Sequence, residues 1–121
     1  MSDACPFCDL GDRVLAENEL AVVVRDLEPA SPGHTLVIPK RHSESYFDLT
    51  NAEVAACHAL LRAEREHLAK QHRPDGYNVG VNEGAAAGQV VPHTYFHQLP
   101  RYTGDHPDPR GGVRHVIPTR R

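Results

Sequence analysis

One helix signal, set among short β-branched runs, constrains the fold of this chain more than any other feature. Thr50 and Glu53 form a candidate capping box, and Val54, Cys57, Leu61 and Leu68 follow on one face at helical spacing. Lys70, His72 and Arg73 complement the dipole at the far end, and Pro74 prevents further extension. Before the helix, residues 14–17, 21–25 and 34–39 read as strands. Asn18 to Leu20 supply the first turn, and Pro29, Pro32 and Gly33 break the chain before the third strand. After the helix, residues 77–81 and 90–99 read as two more strands, separated by a loop of small residues at 82–89. The order β-β-β-α-β-β predicts an α+β domain: an antiparallel sheet of about five strands with one main helix on a face.

The chain has 121 residues, which suits one domain with its own core and is too short for two. Residues 1–121 are therefore read as a single domain, with a knuckle segment at 1–12 and a tail at 101–121. The tail is rich in proline, glycine and arginine and is expected to be mostly irregular. A hydrophobic fraction of 40% excludes wholesale disorder. A formal net charge of −3, with the basic residues spread along the chain, gives no sign of a nucleic-acid or membrane-surface partner. The acidic, polar start MSDACPFCDLGDR lacks the apolar core of a signal peptide, and no apolar run approaches the roughly 18 residues that cross a bilayer. These features predict a soluble, cytoplasmic protein. Three cysteines in that compartment speak for metal binding or burial and against a disulfide framework.

Four segments carry candidate chemistry. Cys5-Pro-Phe-Cys8 presents two thiols about a metal's width apart, which is half of a zinc site. A redox dithiol or two incidental cysteines fit the pair as well, and with nine histidines in the chain no single partner stands out. The segment from Ser31 to His42 reads as a turn followed by a buried strand. From Gly76 to His93, a strand runs into small residues whose backbone N–H groups could approach a phosphate. The last segment is His93-Thr-Tyr-Phe-His97. On a continuous strand His93, Tyr95 and His97 share one face, and three polar rings together suit a pocket better than a core.

In this order and spacing the segments resemble the histidine-triad (HIT) family of nucleotide hydrolases and transferases. The likeness runs from Cys5 to about Pro118. The stretches DLEPASPGHTLVIPKRH, YNVGVNEGAAAGQ and VPHTYFHQLPRY are specific together, and DHPDPRGGVRHVIP resembles a bacterial subgroup. The resemblance implies a compact α+β domain that dimerises through its helix and an edge strand into one continuous sheet. It implies binding of a nucleoside monophosphate or nucleotide conjugate, and attack of the middle triad histidine on the α-phosphorus. Position by position, it implies that Asp26 holds the ribose hydroxyls and that Leu27 touches the nucleoside. Asn82, Gly88 and Gln89 match the phosphate loop, His97 the third triad histidine, and His34 the histidine that supports the catalytic strand. Cys5, Cys8, His42 and His93 match the ligands of the structural zinc that some members carry, a closed Cys2His2 set.

Two departures bear on the reaction. Tyr95 stands where the family has its central histidine, and Val90 stands where Ser or Thr often donates to the phosphate. Histidine suits the attack because it is largely neutral near pH 7 and later leaves well. A phenol, with a reference pKa of about 10, is only roughly 0.1% ionised there. A nucleotidyl-tyrosine is also a phosphodiester, much less labile than a phosphoramidate. The resemblance thus implies a nucleotide-binding protein with altered or reduced hydrolase activity. Activating Tyr95 would require a nearby base or cation, for which His97 and His34 are the candidates. Other readings are a pocket redirected to chemistry in which Tyr95 is a general acid or base or an orienting hydroxyl, a non-catalytic zinc-stabilised binding domain, and a His-to-Tyr variant of an active hydrolase. Cys57 is read as a core or interface residue, and His58, His67 and His72 as solvated or interfacial. Lys40 and Arg41 are read as surface charges; Arg101, Arg110 and Arg114 are left unplaced, and Gln98 points away from His97.

Overall fold

A computed structural model describes residues 5–117. Residues 1–4 of the knuckle segment and 118–121 of the tail, including Pro118, lie outside the described residues. The expected element order is present: β1 (Ala16–Glu17), β2 (Ala21–Arg25), β3 (Thr35–Pro39), α1 (Asn51–His72), β4 (Gly76–Val81) and β5 (Phe96–Arg101). All neighbours pair antiparallel in one five-stranded sheet of order β1-β2-β3-β5-β4. Short 3-10 turns punctuate the connections at Gly11–Arg13, Tyr46–Asp48 and Ala85–Ala87, and one more, Gly112–Val116, lies in the tail.

The helix starts as its sequence requires. Thr50 accepts from the Glu53 amide at 3.0 Å, and the Glu53 carboxylate accepts from the Thr50 amide at 2.8 Å. It ends on Arg73, which caps it in the left-handed conformation at φ 50. Cys57, Leu60, Leu61 and Leu68 are buried, while Val54 is only half-buried. Two acidic residues share the buried face, each with an arginine partner. Glu53 pairs with Arg41 at 2.8 Å and Glu64 with Arg25, which ties the helix to the sheet.

Strand alternation divides the core into two layers. Ala21, Val23, Val37 and Phe96 pack under Cys57, Leu60 and Leu61 of the helix. Val22, Val24, Leu36 and Ile38 face the other way, onto Tyr95 and the half-buried Phe7, Leu10, Val14 and Val91. Burial on both faces explains why β2 and β3 are apolar almost throughout. Gly33 makes the turn into β3 at φ +88, and a side chain there would meet His72 and Leu68 at 3.0 Å.

Two strands depart from their expected ranges by more than one residue. The first strand holds only Ala16 and Glu17 of the range 14–17. The last strand begins at Phe96, six residues later than read from the sequence, and continues to Arg101. Pro92 lacks a ladder donor, and the segment before Phe96 bonds elsewhere. The His93 amide donates to the Val91 carbonyl at 2.8 Å, and the Thr94 amide to the Ser43 carbonyl at 2.6 Å. His93 and Tyr95 therefore precede the strand that carries His97, and the three rings do not form one strand face.

Candidate functional site

Two clusters of metal-capable side chains form among the described residues. The first unites Cys5, Cys8, His42 and His93, whose ligand atoms all lie within 4.8 Å of one another. Cys5 Sγ is 3.4 Å from His93 Nδ1, and Cys8 Sγ is 3.2 Å from His42 Nδ1 and 3.7 Å from His93 Nδ1. A tetrahedral ion with bonds of about 2.0–2.3 Å has ligand edges of roughly 3.5 Å, so the spacing fits a bound ion. The buried His93 donates from Nε2 to the Pro39 carbonyl at 2.7 Å, which leaves the Nδ1 lone pair turned toward the thiols. Two thiols and two imidazoles, one of them oriented from behind, could hold a metal ion.

The second cluster is Asp26, His34 and His97. The register of β3 and β5 sets Leu36 opposite His97, and His34 immediately precedes β3, so its ring reaches the neighbouring strand. His34 Nε2 lies 2.9 Å from His97 Nδ1 and 3.4 Å from Asp26 Oδ2. The Ala30 amide donates to His34 Nδ1 at 3.0 Å, which assigns the proton of the neutral ring to Nε2. That proton points at His97 Nδ1, and His97 in turn carries its proton on Nε2. Burial is the main cause that lowers the pKa of both rings, against the opposing pull of the Asp26 carboxylate. The Asp26–His34 contact therefore joins a carboxylate to a neutral ring near pH 7. His34 Nε2 is a donor there, so the cluster suits a proton relay more than a metal.

A cavity of about 450 Å³ opens beside His97. Among its lining residues are Asp26, Leu27, Asn82, Gly88, Val90, Tyr95 and His97, which come from four separate stretches of chain. Leu27 and Val90 stand exposed at its mouth, 74% and 83% accessible. Gly88 holds φ +91 near the Asn82 amide, a conformation that favours glycine. Tyr95 is buried, its ring edge-on to His97 at 5.2 Å and to Phe7 at 5.0 Å. Its hydroxyl has no hydrogen-bond partner among the described residues.

Two expected positions do not line this cavity. His34 lies behind His97 and borders a separate hollow of about 430 Å³ walled by the tail turn at Val113, His115 and Val116. The Gln89 side chain is committed to backbone groups: its oxygen accepts from the Gly84 amide at 2.8 Å, and its nitrogen donates to the Glu44 and Val91 carbonyls. Gln98 faces the helix, as its alternation requires, and donates to the Leu61 carbonyl at 3.0 Å. Arg101 and Arg110 are paired with Asp105 and Asp108. Pro6, Phe7 and Arg13, which sequence reasoning did not single out, also line the cavity. The apolar Phe7 inside an otherwise polar knuckle was the available signal.

Comparison with known proteins decides the kinship. The HIT domain model matches residues 9–104. The chain belongs to the HIT family. An uncharacterised HIT-like protein of Methanocaldococcus jannaschii is 36% identical over 107 residues, 84% of this chain and 81% of that protein. The AP-4-A phosphorylase of Mycobacterium tuberculosis is 37% identical over 111 residues, 86% of this chain and 57% of that enzyme. Among solved structures, a Zn-bound histidine triad family protein from Mycobacterium smegmatis superposes with a TM-score of 0.77 at 32% identity, covering 87% of this chain and 84% of that one. Among the described residues of this HIT chain, no helix is long and apolar enough to cross a membrane.

Proposed function

We propose that this HIT domain binds a nucleoside monophosphate group, alone or within a nucleotide conjugate, in the cavity beside His97. The observation that carries the reading is the convergence of Asp26, Leu27, Asn82, Gly88, Val90, Tyr95 and His97 on one hollow from distant parts of the chain. Asp26 holds the ribose hydroxyls, and Leu27 covers the nucleoside. Asn82 and the Gly88 backbone meet the phosphate, with Gln89 shaping their loop from below. His34 fixes the tautomer of His97, which then offers an Nε2 proton toward the cavity.

The ancestral reaction is hydrolysis or transfer at the α-phosphorus, and this chain performs it in altered or reduced form because Tyr95 replaces the nucleophile. A phenol with no hydrogen-bond partner among the described residues favours reduced phosphoryl transfer over a redirected acid–base role. Cys5, Cys8, His42 and His93 hold a structural zinc, a reading supported by their donor set and spacing and by the Zn-bound mycobacterial relative. The protein acts in the cytoplasm as a homodimer joined through α1 and the edge strand β4.

Calorimetric titration with adenosine monophosphate tests the reading. The protein binds it, and Asp26→Ala weakens binding about tenfold by removing charge-assisted hydrogen bonds. Absence of binding at millimolar nucleotide, by a protein shown to be folded, ends the proposal.

A further inference from the structure

The cavity wall and the metal cluster are built from the same few residues. Pro6 and Phe7 sit between Cys5 and Cys8, in a turn closed by the Cys8 amide on the Cys5 carbonyl at 3.0 Å, and both line the cavity. The Phe7 ring stands edge-on to Tyr95 at 5.0 Å and to His93 at 6.2 Å. Beside it, Tyr95 follows His93 by two residues, and the Pro39 carbonyl anchors the His93 ring. Phe7 is thus held by two of the four ligands and Tyr95 by a third.

Little else restrains the Cys5–Cys8 turn. Among the described residues, its only hydrogen-bond-range contacts with the rest of the fold are those of Cys5 and Cys8 with His42 and His93. The remainder is apolar packing of Phe7 against the sheet layer of Val22, Val24, Leu36 and Ile38. Thiol–imidazole contacts of 3.2–3.7 Å are weak compared with four metal bonds. A metal in the cluster would therefore be the clamp that sets where Phe7 stands.

We propose that the metal site is an integral part of the ligand pocket: zinc positions Phe7 against Tyr95, so that zinc and nucleotide each strengthen the binding of the other. This rests on the nucleotide reading for its ligand, but the coupling of Phe7, Tyr95 and metal does not. Phe7 is a positioning residue in this scheme. Coupling between two sites is reciprocal, so both directions are measurable.

The experiment has a nucleotide arm and a metal arm, both on the whole chain. Stripping zinc from wild-type protein weakens adenosine monophosphate binding about tenfold, and saturating nucleotide slows zinc transfer to a chromogenic chelator by a comparable factor. Phe7→Ala in the loaded protein loses about 2- to 10-fold in nucleotide affinity, the range for one edge-to-face aromatic contact, and is less sensitive to stripping than wild type. In the metal arm, without nucleotide, Tyr95→Ala speeds zinc transfer about 2- to 10-fold while Tyr95→Phe, which keeps the ring, does not. Equal nucleotide affinity of loaded and stripped wild type overturns the proposal, as does zinc transfer indifferent to Tyr95→Ala. If stripping unfolds the protein, the loaded-protein variants decide. If loaded wild type binds no nucleotide, the functional reading falls and the metal arm alone decides the coupling.

Discussion

The two histidine clusters both sit where chain segments flank strands β3 and β5, yet their backbones orient the rings in opposite ways. At His93 a carbonyl, that of Pro39, takes the ring proton on Nε2 and leaves Nδ1 as a lone pair facing two thiols. At His34 an amide, that of Ala30, occupies the Nδ1 lone pair and leaves Nε2 as a proton donor facing His97. One reversed backbone partner separates a ring that could ligate a metal from one that could pass a proton. The clusters also differ in completeness. The Cys2His2 set has every donor the family pattern asks for, while the cavity has Tyr95 and Val90 where that pattern has a nucleophile and often a hydroxyl.

The sharpest way to break this contrast is to restore the nucleophile. Tyr95→His is predicted to raise the rate of adenosine phosphoramidate hydrolysis by at least about 100-fold, since the relay through His34 and His97 is already in place. Single-turnover assays and mass spectrometry for a nucleotidyl-histidine check this. A variant that binds nucleotide but stays inert shows that the defect extends beyond position 95. The opposite operation dismantles the complete cluster. Cys8→Ser and His93→Ala should each lower bound zinc below about half an equivalent per chain and the melting temperature by about 10 °C or more. His34→Ala should leave the zinc content near one equivalent. Zinc loss from that variant as well would show that the two clusters are not independent.

The same contrast explains what could be read from the sequence. The helix was legible because its signals are local: a capping box at Thr50 and Glu53, apolar spacing through Leu68, and Pro74 beyond the end. Strands β2 and β3 were legible because β-branched runs end at Pro and Gly. The start of β5 was not. Thr94 bonds to Ser43, about fifty residues away, and no local rule reports such a partner. The family pattern named every residue of both clusters but not their tautomers, which depend on Ala30 and Pro39 backbone groups. It also placed Gln89 at the phosphate loop without showing that its amide is committed to backbone groups, one of them as distant as Glu44. Phe7 was passed over because its pocket partners all lie elsewhere in the chain.

Acid should act on the relay before it acts on most of the fold. Burial lowers the pKa of both His34 and His97, so the unfolded chain takes up these protons more readily than the folded one. The sign follows: the stability they contribute is complete above the ordinary histidine value of about 6.5 and is lost as pH falls through the lower folded values. Ring NMR signals of His34 and His97 should titrate as a coupled pair with midpoints below about 6.5. Between that value and the folded midpoints, melting temperature should fall less steeply in His34→Gln than in wild type, both compared at fixed zinc content. Midpoints above the ordinary value would mean that Asp26, and not burial, dominates the relay.

The smallest predicted effect concerns Val90, at the other gap in the phosphate side. Its side chain is 83% exposed at the cavity mouth, so exchange for serine costs the core nothing and restores a donor near the loop of Asn82 and Gly88. A single hydrogen bond to a charged phosphate group contributes about 1.5–3 kcal/mol when well formed, but solvent at this mouth competes for it. Val90→Ser is therefore predicted to tighten adenosine monophosphate only about 2- to 5-fold, with adenosine unchanged. The pairing of the two ligands is what makes the small number informative. An equal gain for adenosine would place the new hydroxyl on the nucleoside, and reverse the assignment of which end of the cavity faces the glycine loop.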